Sequence, residues 1–230
     1  MKIKFYAHAS FRIEGKDRTI VTDPYTPAPG NSGFDRIEES ADMVIMSSAT
    51  DSFHSDPSHV KGNPTVVNAL ELPEGGKTVD GLFIKSFPAY ESMTFDYRKE
   101  YNRDPDANAL YLFEVDGVRV LHMGDTGIPI IEEHLKELEG KVDVLLALAG
   151  AHATIALDEL DKAIKRIKPK VVIPMHYYSA KGVLKIEPVD KFLAYYNAEN
   201  ITHVKGSTVE ITSAMLPKSG LHVYVLEQSK

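Results

Sequence analysis

Apolar and polar positions alternate with period two in Ile3-Lys4-Phe5-Tyr6 and again in Ser10-Phe11-Arg12-Ile13-Glu14. The chain turns at Gly15, and Thr19-Ile20-Val21-Thr22 brings it to Asp23-Pro24. Such alternation predicts strands with one buried face, because successive side chains of an extended backbone point to opposite sides. Pro27, Pro29 and Gly30 then mark a surface loop. Asp42-Met43-Val44-Ile45-Met46 is a near-continuous apolar run, which predicts a strand covered on both faces. Leu82-Phe83-Ile84-Lys85-Ser86-Phe87 reads as a further strand, opening into a polar stretch at 91–106 that predicts a long loop.

A hairpin follows. Leu110 to Val115 and Val118 to His122 flank Asp116-Gly117, a pair that favours a type I′ turn. Helices are predicted at Ile130 to Leu138 and at Leu157 to Ile167. In the second, Leu157, Leu160, Ile164 and Ile167 share one face. Val142 to Ala147 between them is a buried strand, and Val171-Val172-Ile173-Pro174-Met175-His176 is another. A helix near Val189 to Tyr196 and strands near Thr208 to Ile211 and Leu221 to Leu226 close the chain.

The segment from Ser10 to Asp23 runs strand, Gly turn, strand, Asp; that from Leu110 to Asp125 runs strand, Asp-Gly turn, strand, Gly-Asp. This predicts an internal duplication, each half a mixed sheet followed by helices. Two such halves packed sheet to sheet give an α/β (α+β) fold, a four-layer αββα sandwich with a cleft along one sheet edge, spanning 1–230 as a single domain.

Composition narrows the chemistry. The net charge of −7 and pI near 5.7 argue against a nucleic-acid groove or an anionic membrane surface as partner. No apolar run reaches membrane-spanning length, and the expected location is cytoplasmic. Cysteine is absent, so any metal must sit on His, Asp or Glu. Neither a Gly-x-Ser-x-Gly elbow, a Walker loop nor a dinucleotide fingerprint occurs. What stands out is Asp125, in Leu121-His122-Met123-Gly124-Asp125-Thr126-Gly127, and His176. Each is delivered by the end of a buried strand, a common way to build a hard-to-borderline metal site.

The order of these features resembles the metallo-β-lactamase superfamily, in its lactonase-like hydrolase branch. The resemblance is carried by His8-Ala9-Ser10-Phe11, Thr22-Asp23-Pro24, His122-Met123-Gly124-Asp125-Thr126-Gly127, Ala149-Gly150-Ala151-His152-Ala153-Thr154 and Ile173-Pro174-Met175-His176-Tyr177. It implies that Asp125 matches the carboxylate that bridges two metals, that His176 matches the last histidine ligand and that Asp23 supports the metal loop. The family's His-x-His-x-Asp-His motif would fall on Ser48, Thr50, Ser52 and Phe53, none of them a good ligand. Asp51 and His54 lie one residue out of register and compensate if the loop is rebuilt. The next family histidine is replaced by Glu91, which favours harder cations over zinc.

The resulting expectation is a metal-dependent hydrolase of an ester, lactone, amide or phosphodiester bond, acting through a metal-bound hydroxide. Asp51, His54, Asp125 and His176 hold a divalent ion (zinc, manganese or iron). Asp125, His152 and Glu91 serve catalysis, the last two by proton transfer. His8 is read as a core histidine satisfied by a hydrogen bond, His122 as packed, and His59, His134, His203 and His222 as structural or exposed. The partner is a small-molecule substrate, and a homo-oligomer is left open. The competing expectation is a metal-free, non-catalytic member of the fold that binds a ligand or partner in the cleft, which follows if Phe53 fills the place of the ion.

Overall fold

The structure, a computed structural model, describes residues 1–29, 32–51 and 53–230; Gly30 and Ser52 lie outside the described residues. The first sheet is built by β1 (Lys2–Ala7), β2 (Ser10–Glu14), β3 (Thr19–Thr22), β4 (Met43–Met46) and β5 (Thr65–Asn68). The second contains β6 (Lys77–Val79), β7 (Leu82–Tyr90), β8 (Ala107–Val115), β9 (Val118–His122), β10 (Val144–Leu148), β11 (Val171–Met175), β12 (Ile201–His203) and β14 (His222–Val225). β13 (Thr208–Glu210) returns to the first sheet, where it pairs antiparallel with β1. The helices are α1 (Tyr97–Tyr101), α2 (Glu132–Leu138), α3 (Leu157–Ile167) and α4 (Val189–Leu193).

The expected duplication is visible in the hydrogen bonding. Along β1 to β5 the pairings run antiparallel, antiparallel, parallel, parallel. Along β7 to β11 they run in the same order. Asp116 and Gly117 both adopt positive φ (52° and 73°), as the turn between β8 and β9 requires. The two inner faces share one core: Ile13, Ile20 and Ile45 from the first sheet join Leu110, Val120 and Leu145 from the second. This is the two-sheet sandwich that the pattern predicts.

The outer cover is asymmetric. Met43 and Ile45 of β4 face the shared core, whereas Val44 and Met46 face a separate cluster with Tyr25, Phe34, Ile37 and Val60. On that side the cover therefore comes from the segment after β3 and a 3₁₀ turn at Pro57–His59, capped by the Asp56 carboxylate. His59 locks the segment by accepting from Ile37 N at 2.7 Å and contacting Tyr25 O at 2.8 Å. On the second sheet α3 buries Leu160, Ala163, Ile164 and Ile167, each large side chain contributing about 1.5–3 kcal/mol.

Three strands escape the sequence pattern. β5, β6 and β12 have only four, three and three residues, too few for a period to show. The predicted loop at 91–106 contains α1, begun by the Asp96 carboxylate accepting from Lys99 N at 3.1 Å. Among the described residues no helix is long and apolar enough to cross a membrane.

At the amino ends of β9, β10 and β11 one carboxylate ties the sheet together. Asp143 accepts from Arg119 N (3.0 Å), Nε (2.9 Å) and Nη2 (3.1 Å), and Lys170 Nζ lies 3.1 Å away. Burial resists its ionisation, but these donors more than offset that and hold its pKa at about 2. Because the folded value lies below the unfolded one, the stabilisation is complete above about pH 4 and is lost as pH falls through about 2. Asp143→Asn is expected to cost about 1–2 kcal/mol in urea unfolding at neutral pH, Arg119 being partly solvated, with the gap narrowing toward about pH 2. An undiminished gap there would contradict the assignment.

Candidate metal centre

Strands β1, β3, β4, β9 and β11 each hand over to a polar residue or loop at one edge of the sandwich. β1 ends at His8, β3 at Asp23, β4 at the loop from Ser47, β9 at the turn that carries Asp125, and β11 at His176. Three of these residues leave the ordinary φ range: His8 (57°), Asp23 (35°) and His176 (51°). Non-glycine residues held at positive φ cost about 1 kcal/mol or more each, and such strain gathers at functional sites. Gly124 (φ 59°) lets β9 turn where a Cβ would lie 2.6 Å from Ala109 O.

The side chains converge. Ligand-capable atoms of His8, His54 and His176 lie within 4.8 Å of one another, as do those of Asp51, His54 and Asp125. His54 Nε2 stands 3.8 Å from Asp125 Oδ2, and His176 Nε2 stands 3.5 Å from Asp125 Oδ1. The His8 ring centre is 4.3 Å from that of His54 and 4.1 Å from that of His176. All five residues are buried. Yet His8 Nε2, both ring nitrogens of His54, His176 Nδ1, Asp51 Oδ2 and Asp125 Oδ1 make no hydrogen bond among the described residues.

The backbone fixes this arrangement. Asp51 Oδ1 accepts from Phe53 N at 2.7 Å, which aims Oδ2 into the cluster. Asp23 Oδ1 accepts from Ser47 N at 2.6 Å and so anchors the start of the loop, the supporting task expected of it. His122 contacts Ala9 O through Nε2 (2.8 Å) and accepts from Gly124 N at Nδ1 (2.9 Å), which sets its tautomer. It is packed, as expected. Asn108 Nδ2 donates to Asp125 O at 3.0 Å. His176 N donates to His8 O at 2.6 Å, joining the ends of β11 and β1.

Burial dominates the electrostatics. It pushes His8 and His54 well below the ordinary histidine pKa, with His176 adding to the effect, and lowers His176 to about 4. It raises Asp51 to about 7 and Asp125 well above the ordinary carboxylate range, with neighbouring carboxylates adding to both. Neutral imidazoles with free lone pairs, beside buried carboxylates that pair with no lysine or arginine among the described residues, are what a divalent cation satisfies. The donor set fits one.

Asp51, His54, Asp125 and His176 are thus brought together. His8 joins them, contrary to the reading of it as a satisfied core histidine: its Nε2 has no partner among the described residues and its ring faces two others. Its place at the end of β1, where the duplicated half carries Glu91 at the end of β7, is the signal that points to it. Ser48 Oγ and Thr50 Oγ1 lie 3.0 Å apart and bond each other. Phe53 lines an apolar pocket beside His8 and does not displace the cluster. Glu91 is buried, but both its oxygens are taken by Arg103, at 2.6 and 2.7 Å. His152 is exposed, its ring edge-on to Phe95 at 4.9 Å. His134, His203 and His222 stand outside the cluster.

Two mixed sheets with a buried carboxylate–imidazole cluster along one edge define a metal-binding sandwich protein. The sequence model of the beta-lactamase superfamily domain matches residues 2–176, and the chain belongs to that superfamily. A UPF0173 metal-dependent hydrolase of Thermococcus kodakarensis is 26% identical over 229 residues, covering 92% of this chain and 100% of the relative. Another from Pelotomaculum thermopropionicum is 30% identical over 197 residues, covering 77% and 84%. Among solved structures, a proposed Zn-dependent hydrolase of the metallo-beta-lactamase superfamily from Thermotoga maritima superposes with a TM-score of 0.73. It is 31% identical, with 99% of each chain covered.

The cluster depends on close backbone contact. A Cβ on Gly150 would lie 2.1 Å from His176 O, which has no room to yield between β10 and β11. Gly150→Ala is therefore expected to displace His176 and weaken divalent-cation binding at least tenfold by calorimetry. Unchanged affinity in a folded variant would show that this contact does not position the ligand.

Proposed function

We propose that this protein is a metal-dependent hydrolase whose reaction centre is the buried cluster at the strand ends. The observation that carries this reading is the convergence of Asp51, His54, Asp125 and His176 with donor atoms unpartnered among the described residues. The names of the Thermococcus, Pelotomaculum and Thermotoga relatives support it. These four residues would hold a zinc, manganese or iron ion, with His8 beside them. When bound, such an ion polarises an electrophilic carbonyl or phosphoryl oxygen and lowers the pKa of water.

The chain's own residues supply the rest. The carboxylates of Asp51 and Asp125 provide negative charge and acceptors; Phe53 N fixes the direction of the Asp51 carboxylate, and Asn108 Nδ2 holds the backbone carbonyl of Asp125. Burial of all five cluster residues keeps bulk water out, which strengthens every electrostatic interaction in the site. His152, exposed, is assigned to exchanging protons with solvent. Beside His8 lies a small pocket of about 10 Å³ lined by Phe34, Phe53, Tyr177, Val183, Leu184 and Ile186. At that volume it holds about one water rather than a substrate group, so the substrate stands as an ester, lactone, amide or phosphodiester.

Asp125→Ala and His176→Ala are each expected to lose bound metal more than tenfold after loading with zinc, manganese or iron, measured by elemental mass spectrometry. The metal-free proteins should melt within about 1 kcal/mol of wild type, because each change removes a buried polar group that lacks a partner among the described residues. Intact metal content in both variants would remove this cluster from the reaction.

A further inference from the structure

Two triads of donors meet in the cluster. His8, His54 and His176 form one, and Asp51, His54 and Asp125 form the other, each with its ligand-capable atoms within 4.8 Å of one another. His54 belongs to both. A histidine ring that keeps one proton offers a single lone pair, so His54 serves one ion and cannot complete two separate sites. Asp125 joins the triads again: its Oδ2 stands 3.8 Å from His54 Nε2 and its Oδ1 stands 3.5 Å from His176 Nε2. The triads are therefore two faces of one site, with three imidazoles and two carboxylates around it.

His8 is the member that its own backbone does not favour. Ala7 pairs with Ser10 across the β1–β2 hairpin, which leaves His8 and Ala9 as a two-residue turn. His8, the first of the two, holds φ at 57°, a position where glycine is the usual occupant. Its Nε2 is buried without a hydrogen-bond partner among the described residues. The nearest rings are not apolar: the imidazoles of His176 and His54 lie at 4.1 and 4.3 Å, and Phe34 follows at 6.3 Å. Positive φ and an orphaned buried nitrogen both oppose folding, and an ion bound at Nε2 removes the second cost. The turn is also held against the rest of the cluster, since His176 N donates to His8 O at 2.6 Å.

The corresponding end of β7 supplies no such donor. Both oxygens of Glu91 accept from Arg103, at 2.6 and 2.7 Å, so the hard carboxylate expected there is withdrawn. An imidazole enters the set in its stead, and imidazole suits zinc better than it suits manganese or magnesium. We propose that His8 is a ligand of the metal centre, a third imidazole delivered by the β1–β2 turn, and that it biases a single site toward zinc over manganese. This rests on the metal-dependent reading above and deepens it.

The test is calorimetric titration of the full-length, metal-stripped protein with Zn²⁺ and with Mn²⁺, with bound metal counted by elemental mass spectrometry and the metal-free proteins melted by circular dichroism. Wild type should bind one ion. His8→Gly removes the imidazole but suits the backbone, so the metal-free variant should melt no lower than wild type while zinc affinity falls at least about tenfold. His8→Asp, which exchanges nitrogen for oxygen, should still bind one ion, with its zinc-to-manganese affinity ratio lowered about tenfold or more. Unchanged zinc affinity in His8→Gly, an unmoved ratio in His8→Asp, or two ions in wild type would overturn the proposal and spare the metal-dependent reading. So would a metal-free His8→Gly protein that melts below wild type, which would make the ring a packing element. Binding of no ion by wild type would overturn both.

Discussion

The structure turns on one electrostatic constraint: imidazoles and carboxylates are buried together with several of their donor atoms unpartnered among the described residues. A carboxylate withdrawn from water without an ion-pair partner costs several kcal/mol, and among the described residues neither Asp51 nor Asp125 pairs with a lysine or arginine. The fold sustains this cost with a large shared core between two sheets and with hydrogen-bonded carboxylate anchors. Asp143 pins the amino ends of three strands with Arg119 and Lys170. Asp23 holds the loop after β4 through Ser47 N. One anchor thus lies where the strands begin and the other where they end, beside the unsatisfied polarity.

The repeated pairing order explains how the cluster is assembled. Each half runs two antiparallel steps followed by two parallel ones. In each half an aspartate follows the third of these strands: Asp23 in the first and Asp125 in the second. The halves have diverged in use. Asp23 is a buried support beside His122, at 3.3 Å from its Nδ1, whereas Asp125 faces the open donor set. The ends of β1 and β7 diverge likewise: His8 joins the cluster and Glu91 binds Arg103.

Much of this was legible from residue order. Long or strictly periodic segments, such as Leu157–Ile167 and the hairpin around Asp116-Gly117, formed as their patterns predict, because their burial is set by local spacing. Asp51 and His54 were visible as the nearest ligand-type residues in a loop whose expected ligands are absent, and they do converge with Asp125 and His176. The participation of His8 was legible only through the repeat, His8 following β1 as Glu91 follows β7; no local spacing marks it, because its partners lie more than forty residues away in sequence. The Glu91–Arg103 pair was not legible, because the loop at 91–106 shows no period and the contact depends on how α1 folds it back.

The central claim is that the strand-end cluster is a cation site, and locating the ion tests it most directly. Crystals grown with zinc or manganese and measured at the absorption edge of that metal would show where it sits. The account predicts one anomalous peak among Asp51, His54, Asp125 and His176, at roughly 2.0–2.2 Å from their donor atoms. A peak elsewhere, or none at this cluster with the metal in excess, would contradict it.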